Sequence, residues 1–261
     1  WLNSSGSLYQ IWMWRANGGT TSTNTAGSID STVQVDPSGC FSIVKFEGQN
    51  DTWGNAITLG HGLSAAPDCI LLKNYDKSDQ WEVFHSAVGA GGGSTAADNS
   101  LALNTDAALY TNQSYKTWGG VMPDATKFTV DGNNANGASE SIIAYCFANC
   151  EGYIKAGVYS GTGRVDGGFA YTGFEPAFIM VKAVASGTDW VIFDTSRDPY
   201  NVSDNVLYAN EITTTSGSSF EIDILSNGWK ARNTNAELNA DTADMVFLAF
   251  AKNPLKYATA R

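Results

Sequence analysis

The chain has 261 residues, only 16% of them charged, with a formal net charge of −11 and a pI near 4.5. Nucleic-acid binding relies on clustered Lys and Arg, which are missing here, so the composition argues against phosphate backbones as partners. The longest uncharged apolar run, residues 142–148, is far short of the ~20 residues a membrane helix needs, so membrane insertion by a helix is excluded.

Residues 1–19 carry Leu2-Asn3 followed by Ile11-Trp12-Met13-Trp14, and read as the last strand of a truncated preceding unit. The chain is therefore expected to be the C-terminal part of a longer one. Residues 20–40 read as a linker and first strand. The runs at 32–35 (Thr-Val-Gln-Val) and 41–46 (Phe-Ser-Ile-Val-Lys-Phe) alternate apolar with polar, the mark of half-buried strands. A Pro-led run follows at 67–73, a Trp-led run at 80–84, and shorter ones at 101–104 and 128–129. Ala135-Asn136 then leads into the apolar run 143–148. The whole series recurs without change of order: 159–161 answers 46–48, 176–182 answers 67–73, and 189–193 answers 80–84. Likewise 207–210 answers 101–104, 229–230 answers 128–129, and Leu238-Asn239 with 246–251 answers Ala135-Asn136 with 143–148. Asn3, Asn136 and Asn239 keep one distance to Trp14, Phe147 and Phe250. Such self-similarity marks a duplication. The predicted fold is all-β: two tandem antiparallel β-sandwich units, 41–152 and 153–261, each long enough to bury its own core.

The four cysteines form no framework by spacing. Cys146 and Cys150 would lie about 13 Å apart on an extended strand, too far for a bridge. Cys69 stands where the second unit has Phe178, as a small buried hydrophobe would. Cys40 can meet Cys150 in space, but folding in a reducing cytoplasm with free thiols is the simpler expectation.

Candidate chemistry is sparse. His61 lies in a Leu-Gly-His-Gly-Leu turn, and His85 lies at the end of the Trp-led run. Asp194 replaces His85 at the matching place of the second unit, and His61 has no counterpart there. Neither sits in a nucleophile motif, and both are expected at turns or on the surface. No zinc-ligand spacing is present, and no metal or cofactor is expected. Glu221-Ile222-Asp223-Ile224-Leu225-Ser226 resembles the Glu-x-Asp-x-x-Glu strand of laminarinase-like glycoside hydrolases. Ser226 replaces the acid/base there, so no catalytic residue is assigned and the chain is expected not to be an enzyme. The glycine-rich 89–94 lacks the Lys-Ser/Thr of a phosphate loop. Asp131 to Gly137 lacks the terminal Glu of a calcium loop and reads as a hairpin turn. Trp81 and Trp190 recur at matching places and read as core. Trp53 and Trp118 have no partner in the second unit, and with Tyr110 and Tyr115 they lie in polar, variable stretches. These four are the candidate ligand-binding residues, by sugar stacking or protein contact. Covering the sandwich end or a neighbouring subunit is the competing role.

Several segments together resemble a module of marine bacteriophage tail proteins: 27–33, 39–44, 60–67, 144–153, 171–176 and 190–201, with the close at 253–261. Among them Arg197-Asp198-Pro199-Tyr200-Asn201 and Asn253-Pro254-Leu255-Lys256-Tyr257 are the most specific. That module often follows a concanavalin/laminin-G-like sandwich. The resemblance implies a virion protein, folded in the host cytoplasm and placed on the tail or particle surface. Its expected role is a tail fibre or spike adhesin binding a bacterial surface receptor, plausibly a glycan, without catalysis. It also implies other virion proteins as partners and a homo-oligomer, a trimer by analogy with fibres. The alternative is a structural or decoration protein of the capsid or tail. A glycoside hydrolase-like sandwich is more distant.

Overall fold

The computed structural model describes residues 11–16, 19–89, 95–111, 116–184, 187–212, 214–215 and 217–254. The first half runs β1 (Ser22–Asn24), β2 (Ser31–Val35), β3 (Phe41–Glu47), β4 (Ile57–Gly60), β5 (Cys69–Asn74), β6 (Trp81–His85), β7 (Asn99–Ala102), β8 (Tyr110–Thr111), β9 (Lys127–Val130), a single helical turn α1 (Asn133–Asn136) and β10 (Ser141–Phe147). The second half runs β11 (Ile154–Ser160), β12 (Phe169–Tyr171), β13 (Pro176–Ala183), β14 (Val191–Asp194), β15 (Val206–Tyr208), β16 (Thr214–Thr215), β17 (Ile222–Leu225), β18 (Gly228–Ala231), the turn α2 (Ala236–Asn239) and β19 (Asp244–Ala251).

All sheets are antiparallel. The large sheet of the first half has the order β1-β2-β3-β10-β5-β6-β7-β8, and that of the second β11-β19-β13-β14-β15-β16. Without β1 and β2 the two orders coincide, and so does their register: Phe147 lies opposite Phe41 and Phe250 opposite Ile154. Each large sheet has a small companion, β4-β9 or β12-β18-β17. Strand alternation sends one row of side chains inward. In the second half Ile179, Val181, Val191, Phe193, Met245 and Phe247 form one buried cluster with Trp229, Ile222 and Ala231. Residues 20–40 are more than a linker, because β1 and β2 form a hairpin that pairs with the free edge of β3.

The outward row of the second large sheet is also buried. Phe178, Met180, Trp190, Ile192, Val246, Leu248 and Phe250 join the core cluster of the first half. Polar contacts stitch this junction. Trp190 Nε1–H donates to the Ala102 carbonyl at 2.8 Å, Leu109 N–H to Val184 O at 3.0 Å, and Lys182 Nζ to Asp106 O at 3.1 Å. The two sandwiches therefore share one continuous core across their boundary.

Three expectations change. Residues 11–16, read as strand, carry none, and no ladder joins them to another strand among the described residues. Trp14 instead packs on Phe147 and Phe250, with ring centroids 6.3 and 5.2 Å away. Cys40 and Cys150 form a disulfide, Cα to Cα 6.0 Å, because the β3–β10 register brings the residue before Phe41 beside the turn that follows Phe147. Cys69 and Cys146 remain buried thiols that burial pushes well above the ordinary cysteine range. Finally, both histidines are buried rather than on the surface. Each ring is satisfied at both nitrogens: His61 Nδ1 accepts from Leu63 N–H and His85 Nδ1 from Ala87 N–H. Their Nε2 atoms face the carbonyls of Asp124 and Phe247 at 3.1 Å.

Candidate functional site

Comparing the two halves position by position exposes a discordant pair of neighbouring core positions. Where the second half has Val191 and Val206 facing inward, the first has Glu82 and Ser100. A carboxylate and a hydroxyl thus stand in place of two core valines. Burying such groups costs free energy unless they are hydrogen-bonded. The Ser100 hydroxyl donates to Glu82 Oε2 at 2.6 Å, and Asn134 Nδ2 approaches Oε1 at 3.4 Å. Burial pushes the Glu82 carboxyl above the usual range, with those two donors and Thr117 pulling the other way.

Above this pair opens a cleft of about 180 Å³, lined by Trp53, Gln80, Glu82, Asp98, Asn99, Ser100, Tyr110, Thr117 and Asn134. It is smaller than the ~300–1,000 Å³ of sites that enclose a drug-sized ligand, and suits a single ring. Two aromatic walls stand at its mouth. Tyr110 is 40% exposed; β8 places it opposite Ser100, and its hydroxyl accepts from Gln80 Nε2 at 2.9 Å. Trp53 is 37% exposed and lies over Gly132, where any Cβ would meet its ring at 2.4 Å. Gly132 has φ +79°, so the position both needs and tolerates glycine.

The Trp53 loop is held from below. Asp131 accepts from Gly54 and Asn55 N–H, and Asn136 accepts from Gln49 N–H while donating to the Asn55 carbonyl at 3.0 Å. In the second half Asn239 does the same for its loop, accepting from Thr162 N–H and donating to Arg164 O. This gives the physical reason for the recurrence of asparagine at 136 and 239. It also explains the polar stretch beginning at Asp131: its oxygens are engaged by backbone N–H groups, and a helical turn, not a hairpin, follows.

On the floor, Asp98 is paired with Lys116 at 2.6 Å and accepts from Thr95 N–H, and the Lys116 ammonium holds it below the usual carboxylate range. Asn99 is buried, and its Oδ1 has no hydrogen-bond partner among the described residues. A buried unpartnered acceptor lining a cleft is available to a ligand hydroxyl.

Of the four aromatics expected to bind, the structure brings Trp53 and Tyr110 together. Trp118 is a correction: it is fully buried, edge-on to Phe84 with centroids 5.6 Å apart, so no ligand can stack on it. Tyr115 lies outside the described residues, as does most of the glycine-rich stretch. Glu221 and Asp223 lie apart from the cleft, and Asp223 pairs with Arg232 at 3.2 Å. Glu82, Ser100 and Asn99 were missed as site residues, although the mismatch with Val191 and Val206 is readable from the duplication.

A family described as "Domain of unknown function (DUF7483)" matches residues 1–254. The chain belongs to the DUF7483 family. No curated protein and no solved structure matches it. Within this DUF7483 chain no helix is long and apolar enough to cross a membrane, and no group of three or more His, Cys, Asp or Glu stands at metal-holding distance, both among the described residues.

Proposed function

We propose that this chain is a non-enzymatic binding region of a phage tail fibre or spike, and that the cleft of its first half takes one ring of a bacterial surface glycan. One observation supports the reading above the others: a core valine pair is exchanged for Glu82 and Ser100 directly beneath the two half-exposed aromatic walls, Trp53 and Tyr110. Stacking faces plus hydroxyl-seeking polar groups on a rigid sheet are the chemistry that recognises a sugar. Asp98 has both oxygens engaged by Lys116 and Thr95. Glu82 is then left without the free second carboxylate that glycoside hydrolysis requires, which favours binding over turnover. The resemblance to tail-protein modules supports the virion setting. Gold-labelled antibody on purified particles tests that setting: label at the tail or its fibres is expected. Label confined to the head makes this a decoration protein instead, and accessible epitope without label on any particle refutes both virion roles.

A further inference from the structure

The outward face of the second large sheet is buried because the first half covers it. The matching face of the first large sheet is not. Phe178, Met180, Val184, Trp190, Val246 and Leu248 are all buried. The counterparts of the last five, Leu71, Tyr75, Trp81, Ile143 and Tyr145, are half-buried or exposed. Trp81 and Tyr145 stack there, centroids 6.3 Å apart and 18° between planes, and neither is fully buried.

Residues 11–16 tell the same story from another side. Trp14, Phe147 and Phe250 hold the same place in the repeated pattern, and their rings meet as a near-equilateral triangle with sides of 5.2, 5.6 and 6.3 Å. Three equivalent side chains around one point are what three equivalent units around one axis produce. Trp12 and Trp14 face that axis and pack on Phe178. Ile11 and Met13 alternate to the other side and are 61% and 88% exposed. Their counterparts Ala144 and Cys146, and Phe247 and Ala249, lie at the heart of the two sandwiches.

We infer that the half-exposed face carrying Leu71, Tyr75, Trp81, Ile143 and Tyr145 is the seat of a third unit of this same fold, within the same polypeptide, whose last strand is residues 11–16. The interface it makes repeats the one already present between the two halves, a head-to-tail contact that closes when three units surround one axis. The covering elements are also repeated. Asp106, which meets Lys182 at the existing junction, has Ile212 as its counterpart, and Ile212 is fully exposed. In the closed ring the region around Ile212 covers the third unit's outward face, and the third unit covers Trp81. The inference is independent of the glycan reading.

Hydroxyl-radical footprinting of the complete gene product beside residues 1–261 tests it, with light scattering to report mass. In residues 1–261 a monomer is expected, with Trp81, Tyr145 and Met13 labelled and Trp190 protected. In the complete product all three lose their labelling to the level of Trp190, and Ile212 is protected with them. Equal labelling of Trp81 and Met13 in both samples overturns the inference. So does self-association of residues 1–261 that protects Trp81, which would make a second copy the occupant.

Discussion

Replacing Glu82 and Ser100 together by valine rebuilds in the first half the pair that the second half already carries as Val191 and Val206. Two buried valines contribute about 1.5–3 kcal/mol each. The hydrogen bonds removed are worth about 0.5–1.5 kcal/mol each net. The double variant is therefore expected to be more stable by about 1–3 kcal/mol, in the range seen when buried charged groups give way to packed hydrophobes. Ser100→Ala alone moves the other way, by about 1–3 kcal/mol, since it leaves a buried carboxyl short of a donor. The pH dependence gives a second signature. Burial raises the Glu82 carboxyl in the folded state, so its contribution is fully present below the ordinary Glu value of 4.5 and is lost as pH rises through the raised value. The double variant lacks that decline. Urea unfolding from pH 4 to 8 measures both effects. A double variant less stable than the parent at pH 7, or one with an unchanged pH slope, would refute the account of a core opened to make a site.

Trp118→Ala should cost about 3–5 kcal/mol, as for large aromatic truncations in cores, whereas Trp53→Ala should leave the urea midpoint nearly unmoved. Asn136→Ala strips partners from the Gln49 N–H and the Asn55 carbonyl and should cost about 1–3 kcal/mol in thermal or urea unfolding, with faster amide exchange across residues 49–55. His85 is held at about 4 by burial, so its neutral ring supports the fold above 6.5 and that support fades as pH falls toward 4, a loss of about 3 kcal/mol. His85→Gln, whose amide N–H can keep the bond to the Phe247 carbonyl and which does not titrate, should flatten acid unfolding over that window.

The duplication made most of the architecture legible, because matched Pro-led and Trp-led runs at constant offsets fix which strands correspond. The sheets then show one strand order twice. The Cys40–Cys150 pair was legible as a possible meeting but not as a bond: the two are 110 residues apart, and only the β3–β10 register joins them. Trp118 misled because polar neighbours in sequence say nothing about which loop folds inward over Phe84. The histidines misled for a related reason, since turn residues are buried when backbone groups of distant segments satisfy both ring nitrogens. Glu82 was hidden inside a strand that reads as ordinary alternation. Its mismatch with Val191 carries meaning only once the sheet places it facing inward beneath Trp53.

Whether the cleft takes a sugar is decided by a glycan array probed with the parent chain beside Trp53→Ala and the Glu82→Val/Ser100→Val variant, all shown to be folded. The parent is expected to bind a defined saccharide, and both variants to lose the signal. Binding retained by both variants, or a folded parent that binds no glycan of its host surface, would contradict this reading.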